Sequence, residues 1–226
     1  VSLMKNIIKF SLTAVALAAG MSAQAQTAGT WMGRIGATGI YPQVSSGNLS
    51  PPAFPNTQVD VSSDVQLGGG ITYMITDNWS VDLPLALPFS SDITGAGAIA
   101  GVGTIATSKV LPMTLFGQYR FGDAKATFRP YLGAGLTYAY FYDETSTFTL
   151  TSLTGGTPSN PTTMNTKSKF APTLQIGGTV NINERWFVDV MGAYTWLSAT
   201  STLSTGQSIK VTLNPATIAL AVGYRF

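Results

Sequence analysis

At 226 residues the chain is 45% hydrophobic and only 10% charged, far below the roughly one quarter charged of a soluble domain. It has neither cysteine nor histidine, which excludes a disulfide scaffold, a thiolate metal site and any Ser-His catalytic pair. The formal net charge of +2 disappears if Lys5 and Lys9 are removed with an N-terminal leader. With no basic patch interleaved with aromatics, no nucleic-acid partner is expected.

That leader is the first predicted element. Lys5 and Lys9 precede an apolar run from Ile7 to Ala19, then Gly20 and the small-residue site Ala23-Gln-Ala25. This is the three-part form of a secretory signal, so residues 1–25 read as a signal peptide cleaved after Ala25. The apolar run is too short for the ~20 residues of a spanning helix. Residues 26–226 then form one exported domain.

From Gly29 onward the period is two, the spacing of a strand with two unlike faces. Trp31, Ile35 and Tyr41 share a face against Arg34, Thr38 and Ile40; Val65, Leu67, Ile71 and Tyr73 stand against Gln66, Gly68 and Thr72. Trp79, Val81, Leu83, Leu85, Leu87 and Phe89 oppose Asp82 and Ala86. Leu111, Met113, Leu115 and Tyr119 oppose Thr114, Gln118 and Arg120, and Leu132, Leu136 and Tyr138 oppose Arg129, Gly133 and Thr137. Leu174, Ile176 and Val180 oppose Thr173, Gln175 and Thr179; Val188, Val190 and Tyr194 oppose Asp189 and Thr195. The eighth segment sets Ile218, Leu220, Val222 and Tyr224 against Thr217, Ala219, Ala221 and Arg225, and ends on Phe226.

The connectors alternate in length. Short turns at 76–78, 122–126 and 183–185 carry Asp, Asn or Gly, whereas 43–58, 90–107, 143–169 and 198–207 are long and rich in Ser, Thr, Gly and Pro. Aromatics gather at both ends of the segments. Trp31, Trp79, Phe121, Tyr131, Trp186, Tyr224 and Phe226 fall near the short turns, and Tyr41, Phe89, Tyr138, Tyr140, Tyr194 and Trp196 near the long loops. A soluble barrel would hide its bulky stripe and expose its charges; here nearly all strand charges lie opposite the stripe. The pattern predicts an all-β fold, an eight-stranded antiparallel up-and-down transmembrane β-barrel with short periplasmic turns and long extracellular loops.

Several runs together resemble the OmpW family of small outer-membrane barrels: Leu67-Gly-Gly-Gly-Ile-Thr-Tyr-Met-Ile-Thr-Asp-Asn78, Leu111-Pro-Met-Thr-Leu115, Tyr119-Arg-Phe-Gly-Asp123, Arg129-Pro-Tyr-Leu-Gly-Ala-Gly135 and Gly223-Tyr-Arg-Phe226. The similarity spans essentially the whole chain after the leader but not the long loops. It implies a bacterial outer-membrane location and a narrow hydrophobic channel that passes small apolar molecules. Tyr224 and Phe226 also resemble the C-terminal signal read by the outer-membrane assembly machinery.

Inward parity gathers Arg34, Arg120, Arg129 and Arg225 with Asp82 and Asp189 near the short-turn end, where pairing into a periplasmic-side charged plug is expected. Higher in the lumen, Ile40, Ala86, Phe116, Phe141 and Leu197 read either as the lining of a hydrophobic channel or as the packing of a narrow barrel. A plugged floor under an oily lumen would send a solute sideways into outer-membrane lipid, and Pro84, Pro88 and Pro112, which lack ladder donors, mark a place for that exit. The competing reading is a structural or adhesive barrel that binds surface ligands through its loops. An enzyme is not expected, nor any cofactor or metal: Asp143-Glu144 reads as a solvated pair, and Gly95-Ala-Gly-Ala-Ile-Ala-Gly101 as a flexible loop without the helix a dinucleotide site needs.

Overall fold

The computed structural model describes residues 26–226; the expected signal peptide lies outside the described residues. Its elements in chain order are β1 (Trp31–Tyr41), β2 (Ser45–Ser46), β3 (Thr57–Val61), β4 (Asp64–Met74), β5 (Trp79–Ala86), β6 (Phe89–Gly97), β7 (Thr104–Arg120), β8 (Phe128–Ser146), α1 (Phe148–Leu153), β9 (Met164–Thr166), β10 (Lys169–Asn181), β11 (Trp186–Thr195), β12 (Ser198–Leu203), β13 (Ser208–Thr212) and β14 (Ala216–Arg225). The wall is a closed antiparallel barrel of eight strands in the order β1, β4, β5 continued by β6, β7, β8, β10, β11 and β14. Closure comes from β1, which pairs with β4 on one side and with β14 on the other, so that Ala37 faces both Leu67 and Leu220. The last residue joins the seam, with Phe226 N donating to Trp31 O at 2.9 Å.

The bulky stripe faces outward. Ile35 is 62% exposed, Ile176 64% and Leu220 58%, a band that only an apolar medium can cover without penalty. Rings meet at both margins of the band, Trp79 edge-on to Tyr119 and Trp186 edge-on to Tyr224 near the short turns, Tyr138 tilted against Phe170 and Tyr194 edge-on to Trp196 at the other end. Two expected members of these girdles point inward instead. Tyr131 shares the parity of Arg129 and is buried, because its register partner Gly177 leaves room for the ring, which a Cβ there would strike. Phe89 is buried because the chain breaks after Ala86 and resumes as β6 with a register on β7 shifted by one residue from that of β5. A shift of one residue exchanges the two faces of a strand.

The long segments that read as loops are largely folded. β7 and β8 hold 17 and 19 residues, whereas about 9–11 suffice to cross a bilayer, so this hairpin projects well beyond the apolar band. Beside it, β2, β13, β12 and β9 form a separate four-stranded sheet. Ile99, Ile105, Ala106, Leu150 and Leu203 pack together into a roof over the lumen, with Leu49, Val59, Ile93, Leu153 and Met164 around them. The Gly95 to Gly101 stretch is therefore an ordered turn, held by bonds from Ala98 N to Asn56 O and from Ala100 N to Gly97 O, with Ile99 buried in the roof.

The exposed stripe carries two expected outcomes. The chain without its leader precipitates in plain buffer but remains folded in detergent or lipid; a folded monomer without amphiphile would overturn the lipid-facing assignment. Leu220→Arg, placed between the girdles, costs about 2–4 kcal/mol when reversible unfolding from liposomes is followed by tryptophan fluorescence.

Candidate functional site

Near the short turns the lumen is filled by a polar layer drawn from nearly every wall strand. Arg34 on β1 holds Asp82 on β5 with two parallel bonds of 2.6 and 2.9 Å, and Thr72 on β4 donates to the same carboxylate at 2.5 Å. Arg34 Nε also lies 3.8 Å from Asp189 on β11. Asp189 accepts from Tyr131 OH at 3.0 Å and from Thr179 Oγ1 at 3.0 Å. All six expected charges lie in this layer, and Asp82, Arg120, Arg129, Asp189 and Arg225 are each at most 3% exposed.

Ion pairing explains only part of the layer. Arg34 is the one arginine of the four within salt-bridge distance of a carboxylate among the described residues. The other three donate to neutral acceptors, as a buried guanidinium requires, although Arg225 Nε has no partner among the described residues. Arg120 donates to Ser80, Gln118, Thr179 and Gln26 and sits 4.7 Å from the centre of the Tyr131 ring. Arg129 donates to Gln26 O at 3.1 Å and to Asp77 O at 2.6 Å. Arg225 reaches Glu184 O at 3.1 Å and the Asn181 side chain, and lies over the Phe187 ring at 5.0 Å. Gly223 makes room for that ring, since a Cβ there would collide with it.

Above this layer lies a cavity of about 180 Å³ that runs from Arg34 up to the roof, a little larger than the ~150 Å³ engineered cavity that holds benzene. Ile40, Ala86, Phe116, Phe141 and Leu197 all line it. Ile40, Phe116 and Leu197 are buried, whereas Ala86 and Phe141 are partly so. Phe89, whose parity pointed to the outside, lines it too. One stretch of wall beside the cavity is unpaired: β5 pairs with β7 from Trp79↔Tyr119 to Asp82↔Phe116, and pairing resumes only at Phe89↔Val110. No ladder pair joins residues 83–88 to residues 111–115, and Pro84 and Pro112 line the cavity at that interval.

Tyr131, Phe187, Gln26, Thr72 and Thr179 complete the polar layer and were not among the expected site residues. Parity marked Tyr131 and Phe187 as inward, and a glycine close to each ring was the sequence signal for the room they occupy. Gln66, on the same face of β4 as Thr72, donates to Asp64 at the upper rim and takes no part in the layer. Asp143 and Glu144 turn to different partners: Lys109 Nζ meets Asp143 at 2.6 Å and Thr166 N donates to Glu144 at 2.8 Å. On this projecting part of the hairpin, the bond to Asp143 raises the Lys109 ammonium above its ordinary pKa.

The two carboxylates that accept a hydrogen bond from a cation, Asp82 and Asp143, predict different outcomes. Asp82→Asn strands the buried Arg34 and lowers stability by about 3–5 kcal/mol in urea unfolding from lipid, while Asp143→Asn at the exposed pair changes nothing measurable. Equal losses would show that burial does not set the value of these pairs.

The chain matches the family model described as "OmpW family" over residues 27–226. It is 33% identical over 228 residues to Outer membrane protein W of Vibrio cholerae serotype O1, covering 97% of this chain and all of that one. Similarity at 26% over 200 residues extends to the dibenzothiophene metabolism operon protein PahQ of Pseudomonas aeruginosa, with 87% and 88% of the two chains covered. Among solved structures, the crystal structure of the outer membrane protein OprG from Pseudomonas aeruginosa superposes with a TM-score of 0.80 at 27% identity, covering 91% of this chain and 99% of that one. A family match that begins at the second described residue and runs through the closing strand to Phe226, on a wall of this topology, makes the chain a member of the OmpW family of outer-membrane β-barrel proteins.

Proposed function

We propose that the barrel takes up small apolar molecules through a narrow hydrophobic channel and releases them sideways into the outer membrane. In this reading Ile40, Ala86, Phe116, Phe141 and Leu197 are the channel lining, and the layer of Arg34, Asp82, Arg120, Arg129, Asp189 and Arg225 is a plug that denies an axial route to the periplasm. Tyr224 and Phe226 serve the assembly machinery, residues 1–25 are the export signal, and no catalytic step takes place.

The observation that carries the reading is the juxtaposition of three features: an apolar cavity, a hydrogen-bonded floor below it, and an unpaired interval of wall beside it at Pro84 and Pro112. A solute with no polar group has nothing to offer the floor, whereas passing into lipid exchanges one apolar surrounding for another. The name of PahQ ties that relative to the metabolism of dibenzothiophene, an apolar aromatic molecule, and supports the same class of solute here.

Cells carrying the barrel are expected to accumulate the apolar fluorophore N-phenyl-1-naphthylamine faster than cells without it. Phe116→Asp and Leu197→Asp lower that rate about tenfold, the equivalent of about 1.4 kcal/mol; an unchanged rate removes the hydrophobic channel. The chain has no cysteine, so a pair introduced at Leu85 and Met113, opposite each other if the β5 register on β7 continued, can staple the interval. Oxidation slows uptake and reduction restores it. A verified cross-link without effect on uptake removes the lateral exit.

A further inference from the structure

Thr114 on β7, Thr137 on β8, Thr173 on β10 and Thr195 on β11 stand side by side on four neighbouring strands. Their hydroxyls form one chain, with Oγ1 separations of 2.7, 2.6 and 3.0 Å. Each of the four residues is at most 9% exposed and lines the cavity, and no hydroxyl of the four has another hydrogen-bond partner among the described residues. The chain begins at the unpaired interval, since Thr114 lies within residues 111–115, and runs round the wall to β11.

Proton counting shows what the chain leaves over. Four hydroxyls carry four protons and three bonds use three, so when the bonds all run one way a donor remains at one end and an acceptor lone pair at the other. Reversing all three bonds exchanges the ends without loss. The wall therefore offers a donor or an acceptor beside the interval, whichever a visitor requires. Higher on the same strand, Ser108 Oγ is buried in the cavity wall without a partner, so a polar group descending β7 meets a hydrogen-bonding position before it reaches Thr114.

We infer that this hydroxyl chain is a binding subsite for a single uncharged polar terminus, an alcohol or carbonyl group, on an otherwise hydrocarbon ligand. The inference rests on the uptake reading and narrows its substrate class. A purely apolar solute leaves the spare donor unmet, whereas a carboxylate brings a charge into a cavity where both terminal nitrogens of Arg34 already bond Asp82 or Thr72 and loses much of its hydration.

The test uses the barrel in lipid nanodiscs with labelled Ile, Leu and Thr methyl groups, titrated with octane, 1-octanol or octanoate and followed by NMR. Octane is expected to shift Ile40 and Leu197 alone, and 1-octanol to shift these together with Thr114 and Thr195. The shape-conserving pair Thr137→Val and Thr173→Val lowers 1-octanol affinity roughly fivefold to tenfold and leaves octane within about twofold, while Thr137→Ser keeps the wild-type preference and controls for folding. Identical footprints and identical variant responses for octane and 1-octanol overturn the subsite but leave the uptake reading standing. Tighter binding of octanoate overturns the neutral-terminus assignment. If neither octane nor 1-octanol shifts Ile40 or Leu197, the uptake reading falls, and the subsite with it.

Discussion

A peptide group in hydrocarbon has no water to bond to, so every backbone donor and acceptor crossing the membrane must find a partner within the wall. The barrel depends on that one constraint. It is why β1 has partners on both sides, why Phe226 N bonds Trp31 O at the seam, and why the apolar stripe can face outward at all. The same constraint gives the interval at residues 83–88 and 111–115 its interest. A gap in the ladder is costly in proportion to the groups it leaves unpaired, and three of the donors missing there never existed, because Pro84, Pro88 and Pro112 have no N–H. Proline lowers the cost of an opening at the height where the cavity meets the wall.

The polar layer solves a different problem, that of holding four guanidinium groups and two carboxylates in an interior just wide enough for side chains. Pairing alone cannot do it. Three arginines lean on carbonyls, hydroxyls and ring faces, and the rings fit because Gly177 and Gly223 carry no Cβ. Thr179 shows how tightly the parts are joined: its hydroxyl donates to Asp189 and accepts from Arg120, so one side chain links the two charges across three strands. Networks of this kind are worth more intact than the sum of their pairs.

Much of this was legible in the sequence, because a period of two by itself assigns each residue to a face of its strand. The eight wall strands, the outward stripe and the inward charges all follow from it. Legibility failed where something other than parity decided the outcome. Tyr131 had inward parity, but its aromatic character pointed to a girdle; Phe89 had outward parity until the break at Leu87-Pro88 shifted the register. The roof was hidden by composition. Ser198-Ala-Thr-Ser-Thr-Leu203 reads as loop, yet Ala199, Ser201 and Leu203 are buried while Thr202 is exposed, a small strand with the usual alternation written in small residues. No local signal gives the partners of such strands, since β9 and β12 meet only after a long excursion of chain.

The two ends of the cavity are closed by different forces. Below, closure is by directional bonds between charged and polar groups; parting them would leave guanidinium donors buried without acceptors, a cost of about 1–3 kcal/mol for each group and more where it is charged. Above, closure is by contact among Ile99, Ile105, Leu150 and Leu203, which have no bond to break. Such contacts are non-directional, and an apolar visitor that slips between them replaces one hydrocarbon neighbour with another. The wall at Pro84 and Pro112 resembles the roof in this respect, with carbonyls to satisfy but fewer donors. On the proposed uptake path, a molecule that opens the roof can also use the wall, and the property that would admit it, a surface made largely of hydrocarbon, is the property that would bar it from the floor.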